Sequence, residues 1–139
     1  MTFALDPRLA ADTLPAGHLP LCEVRLMNDV RFPWLVLVPR RAGARELHDL
    51  CPADRALLME EATAASAMLA ARGAFKVNVG ALGNIVAQLH VHVVARMPDD
   101  AAWPGPVWGS GTRQPYQGDA GQSLADTLSQ ALGTHGTNP

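Results

Sequence analysis

One long helical segment, set between two groups of strand-like segments, constrains the fold of this chain most. Pro52 and Asp54 are typical of a first helical turn, and Arg72 with Gly73 is typical of the last turn and the residue after it. Between them, apolar residues recur at helical spacing: Leu58, Ala62, Ala65 and Leu69. Because this stripe consists largely of small side chains, we expect the helix to lie close against a flat sheet.

Four segments around this helix have strand patterns. Leu19 to Leu26 alternates apolar and polar residues, and Trp34 to Val38 is a continuous apolar run closed by Pro39. After the helix, residues 75–82 alternate again, and residues 86–95 read as a further strand beyond a turn at Gly83 and Asn84. The first two segments are predicted to pair antiparallel.

The two ends of the chain carry weaker signals. Pro7 to Ala11 is compatible with a short helix, and Pro15 with Gly17 predicts a turn. Prolines and glycines interrupt the sequence after Arg96, so residues 109–139 are interpreted as a Pro/Gly-rich tail. Within it, Ser123 to Leu132 predicts a short helix.

Length and charge exclude several classes of protein. The chain has 139 residues, 48% of them hydrophobic and 17% charged, which is typical of one globular domain and not of a disordered chain. The chain has 11 basic and 13 acidic residues, so it lacks the excess of positive charge that binding to long nucleic acids requires. No signal peptide or membrane-spanning stretch is evident, and we expect a cytoplasmic protein that does not bind membranes.

The segment Gln88-Leu-His90-Val-His92-Val-Val is the most informative for chemistry. In a strand, Gln88, His90 and His92 project from one face, while the apolar residues between them fill the other. Imidazole is a nucleophile and a proton shuttle near neutral pH, so this face could serve catalysis. Two other interpretations are a solvated face of an edge strand and a metal site. A metal site would need a third ligand such as Glu46, His48 or Asp49.

The same segment resembles the motif of the histidine triad (HIT) family, H-φ-H-φ-H-φ-φ with φ apolar, with glutamine in place of the first histidine. The upstream run Leu35 to Arg40, the segment Lys76-Val-Asn78-Val-Gly80 and the pair Gly83-Asn84 follow the order and spacing of the family. Trp103 to Trp108 resembles the tail of a bacterial HIT-like branch. The resemblance covers about residues 20–108, so we assign residues 1–108 to a HIT-like domain.

This resemblance implies an α+β fold, with an antiparallel sheet of about five strands, one long helix packed on it and a short C-terminal helix. It further implies a homodimer whose sheets join and which cleaves small nucleotides at the α-phosphate. By position, His90 would be the nucleophile and His92 would bind a phosphate or bridging oxygen. The residues implied in substrate binding are Asn78, Gly83, Asn84, Asn28 and Asp29. The base would lie among Leu26, Met27 and Phe32.

Gln88 is the departure from the family pattern that affects the chemistry. Glutamine donates and accepts hydrogen bonds but supplies no proton, so a general-acid step would be weakened. We therefore expect substrates with acidic leaving groups, such as dinucleoside polyphosphates, to be favoured. The alternative is a nucleotide-binding module with little or no turnover. No cofactor is required by this chemistry, although a divalent cation could accompany the substrate phosphates.

Overall fold

A five-stranded antiparallel sheet organises the chain. The computed structural model describes residues 2–136. In chain order the elements are α1 (Pro7–Asp12), β1 (Thr13–His18), β2 (Cys22–Met27), β3 (Trp34–Pro39), a one-turn 3-10 helix (Leu47–Asp49), α2 (Pro52–Ala71), β4 (Lys76–Gly80), β5 (Val91–Arg96) and α3 (Ala120–Leu132). The strand order is β1-β2-β3-β5-β4, and every neighbouring pair is antiparallel. The predicted α+β fold is confirmed.

Helices α2 and α3 cover one face of the sheet and form the larger hydrophobic core. The predicted stripe of α2 is buried there, where it meets apolar residues of the central strands such as Leu37 and Val93. Glu61 of α2 lies in this core, and its carboxylate accepts hydrogen bonds from the backbone N–H groups of Leu21 and Cys22 at 2.8 and 2.9 Å. None of the helices described between residues 2 and 136 is both long and apolar enough to cross a membrane.

The opposite face of the sheet carries a second, smaller core. Trp34 and Val36 of β3 and Val94 of β5 lie there with Phe32 and Val107. The N-terminal segment packs onto this core through Phe3, Leu5 and Leu9. Residues directly opposite each other in antiparallel strands share a face of the sheet. His92 lies opposite Val36 on β3 and opposite Gly80 on β4, so it projects from the same face as Val36.

Two predictions about element boundaries are wrong. The predicted turn at Pro15 and Gly17 lies within β1, an edge strand whose pairing with β2 shifts between Pro15 and His18. The predicted strand over residues 86–95 begins only at Val91, so Gln88 precedes the strand. The predicted C-terminal helix is present and starts earlier, at Ala120. It packs against β1, and Ala125 and Leu128 lie in the helix-side core.

Candidate active site

An open cleft of about 430 Å³ lies on the face of the sheet that carries the smaller core. His90 and His92 line it together with Trp34 and Trp108. Its apolar wall is formed by Leu9, Met27, Leu82, Ile85, Val86 and Val107. Its polar lining includes Asp12, Asp29, Arg31, Asn84, Ser110 and Arg113. The cleft thus combines two imidazoles with an apolar wall and several charged groups.

The ring of His90 is oriented by the backbone immediately before it. Its Nδ1 lies 2.6 Å from the carbonyl oxygen of Gln88. A carbonyl oxygen can only accept, so Nδ1 carries the proton and Nε2 of the neutral ring holds the lone pair. The residue is 7% exposed and lines the cleft. This arrangement leaves the lone pair of His90 Nε2 available for nucleophilic attack.

His92 is the second imidazole of the cleft, and its ring centroid is 4.9 Å from that of His90. The indole Nε1 of Trp34 lies 2.9 Å from its Nδ1. The ring of Trp108 covers it edge-on, with the centroids 5.4 Å apart. Burial, and secondarily the neighbouring His90, lowers the pKa of His92 from 6.5 to about 4. His92 is therefore neutral at physiological pH.

The side chain of Gln88 binds the N-terminal segment. Its Oε1 accepts a hydrogen bond from the backbone N–H of Asp6, and its Nε2 donates to the carbonyl oxygen of Ala4, both at 2.8 Å. Gln88 is not among the residues that line the cleft. The strand alternation that predicted a common face for Gln88, His90 and His92 fails at Gln88, because the regular strand begins three residues later.

The predicted phosphate-binding residues are divided between the cleft and its surroundings. Gly83 and the exposed Asn84 line the same cleft as His90. Asn78 lies on the same face of the sheet as His92, but it is paired with Val94, two residues further along β5 than His92. Its Oδ1 accepts a hydrogen bond from Arg96 at 2.8 Å, and the residue does not line the cleft.

The two residues implied in ribose binding also differ in position. Asp29 is buried at the edge of the cleft, and its carboxylate accepts two hydrogen bonds from the Arg31 guanidinium at 2.8 and 3.0 Å. Burial raises the pKa of Asp29, but the hydrogen bonds from Arg31 outweigh it, so the net shift is downward. Asn28 lies outside the cleft lining and accepts from the backbone N–H of Tyr116 at 2.9 Å.

The residues implied around a base are separated by the sheet. Met27 lines the cleft. Leu26 belongs to the helix-side core, because it follows the opposite alternation of β2, so its predicted place near a base is wrong. Phe32 is fully buried in the smaller core and does not line the cleft.

Sequence reasoning did not identify the contact between Trp34 and His92 or the position of Arg31 in the cleft. The contact of Trp34 with His92 joins residues 58 positions apart, and only the pairing of β3 with β5 brings them together. Arg31 is fixed by Asp29 and by the carbonyl oxygen of Ser110, 79 positions away. Trp108 ends the segment that resembles the tail of a bacterial HIT-like branch, and the structure places its ring over His92.

The proposed third ligands for a metal do not converge on the two histidines. Within residues 2–136, no three His, Cys, Asp or Glu side chains are grouped so that they could hold a metal ion. Glu46 and His48 line a separate pocket, which His90 also lines. The carboxylate of Asp49 is used to cap the turn that contains His48, because it accepts a hydrogen bond from the backbone N–H of Glu46. The donor arrangement offers no support for the metal interpretation.

Comparison with known proteins agrees with this architecture. The HIT domain model matches residues 10–99. A histidine triad protein from Sinorhizobium meliloti 1021 is 50% identical, with 93% of this chain and 96% of that chain covered and a TM-score of 0.87. A histidine triad protein from Bradyrhizobium japonicum is 41% identical, with 95% and 99% coverage and a TM-score of 0.90.

A histidine triad protein from Marinobacter aquaeolei VT8 is 44% identical, with 95% of this chain and 96% of that chain covered and a TM-score of 0.89. No curated protein matches the sequence. The domain match spans most of the chain, and the solved structures share its fold over nearly their full length. The chain therefore belongs to the HIT domain family.

Proposed function

We propose that this protein is a nucleotide hydrolase or nucleotidyl transferase that acts at the α-phosphorus of a nucleoside phosphate through His90. The main support for this proposal is the hydrogen bond from Nδ1 of His90 to the carbonyl oxygen of Gln88. It fixes the proton on Nδ1, so the lone pair is on Nε2, at the opposite side of the ring. A neutral, oriented imidazole is a competent nucleophile at phosphorus without a protein-bound metal.

The reaction proceeds in two displacements. The lone pair of His90 Nε2 forms a bond to the α-phosphorus, while the bond from phosphorus to the bridging oxygen breaks and its electron pair leaves with that oxygen. In the second step a water oxygen attacks phosphorus, and the electrons of the N–P bond return to Nε2. The water loses its protons to solvent, and a nucleoside monophosphate is released. If another nucleophile replaces water, the same intermediate transfers the nucleotide.

The lack of a proton donor favours substrates whose leaving group departs as an anion. Gln88 has no ionisable proton, and its amide is already bound to the backbone of Ala4 and Asp6. A phosphate oxygen leaves readily without protonation, whereas an amine does not. A phosphoanhydride such as a dinucleoside polyphosphate is therefore the favoured substrate class, and any divalent cation arrives with its phosphates.

The cleft also suits the remaining parts of a nucleotide. Its apolar wall, which includes Met27 and Ile85, offers contact area for a planar base. Asp29 and Asn84 line the same cleft as His90. In this proposal Asp29 accepts from ribose hydroxyl groups, and Gly83 with Asn84 contacts the phosphates.

The test is intact-mass spectrometry of the protein after brief incubation with a diadenosine polyphosphate, under neutral conditions that preserve an N–P bond. We expect wild type to gain the mass of one adenylyl group and His90→Ala to gain none. His18→Ala is the control, because His18 lies in β1 away from the cleft. Release of adenosine monophosphate should follow the same order among the variants.

Other outcomes would favour the alternatives. Binding of the polyphosphate without adduct or product would support a nucleotide-binding module. Co-purified zinc or iron near one equivalent would support the metal-binding interpretation. Faster cleavage of an adenosine phosphoramidate than of the diadenosine polyphosphate would contradict the leaving-group argument.

Two finer assignments rest on the family resemblance. We propose that the chain belongs to a bacterial HIT-like branch with glutamine at the first triad position, and that it forms a homodimer. Two observations favour the dimer. Strand β4 lies at the edge of the sheet, where a second sheet could pair with it. Two large apolar side chains are exposed there: Phe75, just before β4, is 65% exposed, and Val79, within it, is 53% exposed. Light scattering should give twice the monomer mass for wild type and a monomer for Val79→Lys.

A further inference from the structure

Trp34 makes the only side-chain hydrogen bond recorded for His92 within residues 2–136. The indole Nε1 and the imidazole Nδ1 are 2.9 Å apart, and both residues are 6% exposed. Strand pairing sets this contact, because Trp34 lies opposite Val94 and His92 lies opposite Val36, the next residue of β3 on the same face. Trp34 and His92 are therefore diagonal neighbours across two central strands.

This contact determines which nitrogen of His92 carries its proton. An indole N–H donates and never accepts, so Nδ1 of His92 must be the acceptor. The proton of the neutral ring then lies on Nε2. The assignment follows from the chemistry of tryptophan and does not depend on an observed hydrogen. His92 is thus in the opposite tautomer to His90, whose Nδ1 donates to a carbonyl oxygen.

The packing around Trp34 prevents the indole from turning away. Its ring lies edge-on between Phe32 and Trp108, with centroid distances of 6.3 and 6.2 Å. The groups that face His92 from other elements are uncharged: Val36 on β3, Gly80 on β4 and Trp108 on the loop. His90 is the titratable group beside it. Arg96, two pairs further along β5, is bound to Asp100.

We propose that Trp34 is a positioning residue that holds His92 as the Nε2–H tautomer, so that His92 donates a hydrogen bond to a phosphate oxygen and does not act as a base or an acid. A base needs a free lone pair, and the lone pair of His92 is occupied by Trp34. To act as an acid, His92 would have to be cationic, and the N–H at its Nδ1 would then point at the N–H of the Trp34 indole.

The consequence is a limit on the substrate, and this step rests on the proposed function. Neither His92 nor Gln88 supplies a proton, so the bridging atom must leave with its electron pair and without protonation. Trp34 thereby contributes to the preference for a phosphoanhydride over a phosphoramidate. Freeing Nδ1 of His92 should weaken that preference in slightly acidic solution, where a cationic ring can protonate an amine.

The test is nitrogen-15 NMR of the histidine rings in the free protein, which distinguishes protonated from unprotonated ring nitrogens. In wild type we expect His92 to show a protonated Nε2 and an unprotonated Nδ1. Trp34→Phe keeps an aromatic ring but removes the donor, so both tautomers should appear and the pKa of His92 should rise by about 0.5 to 1. Trp108→Phe is the matched control and should leave the tautomer unchanged, because Trp108 makes no hydrogen bond to His92.

Kinetics supply a second measurement. For a diadenosine polyphosphate, Trp34→Phe should lower kcat about 10-fold with little change in KM, since the donor acts on developing charge. The ratio of phosphoramidate to polyphosphate turnover near pH 5.5 should rise in this variant and not in Trp108→Phe. A rise in both variants would indicate a general loosening of the site and would overturn the proposal.

The two proposals fail in different ways. A proton on Nδ1 of wild-type His92, or equal spectral changes in the two tryptophan variants, overturns the role of Trp34 even if the protein forms a nucleotidyl adduct. If the Nε2–H tautomer is found but no adduct or product forms, the positioning of His92 stands and the proposed reaction fails. If Trp34→Phe does not fold, the wild-type spectrum still decides.

Discussion

Replacement of Gln88 by alanine should loosen the N-terminal segment without unfolding the domain. The glutamine amide makes two hydrogen bonds of 2.8 Å, one accepted from the backbone N–H of Asp6 and one donated to the carbonyl oxygen of Ala4. A hydrogen bond of this kind contributes about 0.5–1.5 kcal/mol net. Both bonds lie near the surface, so the docked segment should lose about 1–2 kcal/mol of stability.

Native-state hydrogen exchange followed by NMR measures this loss residue by residue. An increase of about 1–2 kcal/mol in favour of the open state corresponds to roughly 5- to 30-fold faster exchange of the Asp6 amide. Amides of β5 should keep their protection, because Gln88→Ala removes no backbone bond of that strand. The apolar contacts of Phe3 and Leu5 with the smaller core should prevent complete release.

Two further variants make the result decisive. Gln88→Glu keeps an acceptor for the Asp6 N–H but places a carboxylate beside the Ala4 carbonyl oxygen, so its effect should be equal to or larger than that of alanine. Gln122→Ala removes a comparable bond, donated to Pro15, and should leave the Asp6 amide unchanged. Unchanged exchange at Asp6 in Gln88→Ala, or equal acceleration throughout β5, would refute the assignment of Gln88 as an anchor.

Three other predictions concern the surroundings of the site and the core. Gly80→Ala would place a Cβ 3.2 Å from Cη2 of Trp108, so the indole NMR signal of Trp108 should shift and stability should fall by about 1 kcal/mol. Glu61→Ala removes two charge-assisted bonds to the start of β2 and should cost roughly 3–5 kcal/mol in urea unfolding; a cost below about 1 kcal/mol would contradict this. Hydrogen bonds from Arg96 lower the pKa of Asp100 from 3.8 to about 2, so the ionised carboxylate stabilises the fold above pH 4 and about 2 kcal/mol should be lost between pH 4 and pH 2. Acid titration should show no such loss in Asp100→Asn.

The elements that the sequence predicted well are those with local signals. Helix α2 has its proline at the start and a regular apolar stripe, and β3 is an uninterrupted apolar run, so short-range pattern suffices for both. Strand alternation predicts His90 and His92 on one side, and both line the cleft although His90 directly precedes β5. The resemblance to the HIT family then supplied an antiparallel sheet of about five strands with one long helix packed on it, whereas the order of the strands is known only from the structure.

The errors arose where tertiary pairing overrides local preference. Pro15 and Gly17 favour a turn, yet an edge strand tolerates a proline that lacks an N–H, and Gly17 adopts a φ of 80° at the irregular pairing with β2. Before β5, the backbone N–H of Leu89 bonds to Ala44 in a distant loop, so the ladder cannot begin at Val86. Neither contact leaves a signal in the neighbouring sequence.

The chemical difference between the two histidines illustrates the limit of the motif. An H-x-H sequence specifies two imidazoles on one face, but it does not specify which ring nitrogen is free. For His90 the deciding group is the backbone of Gln88, two residues away, and any side chain there would provide it. For His92 the deciding group is Trp34, reached only through the pairing of β3 with β5. The free ring nitrogen of His90 thus follows from the backbone of the motif itself, whereas that of His92 depends on the residue that the adjacent strand places against Nδ1.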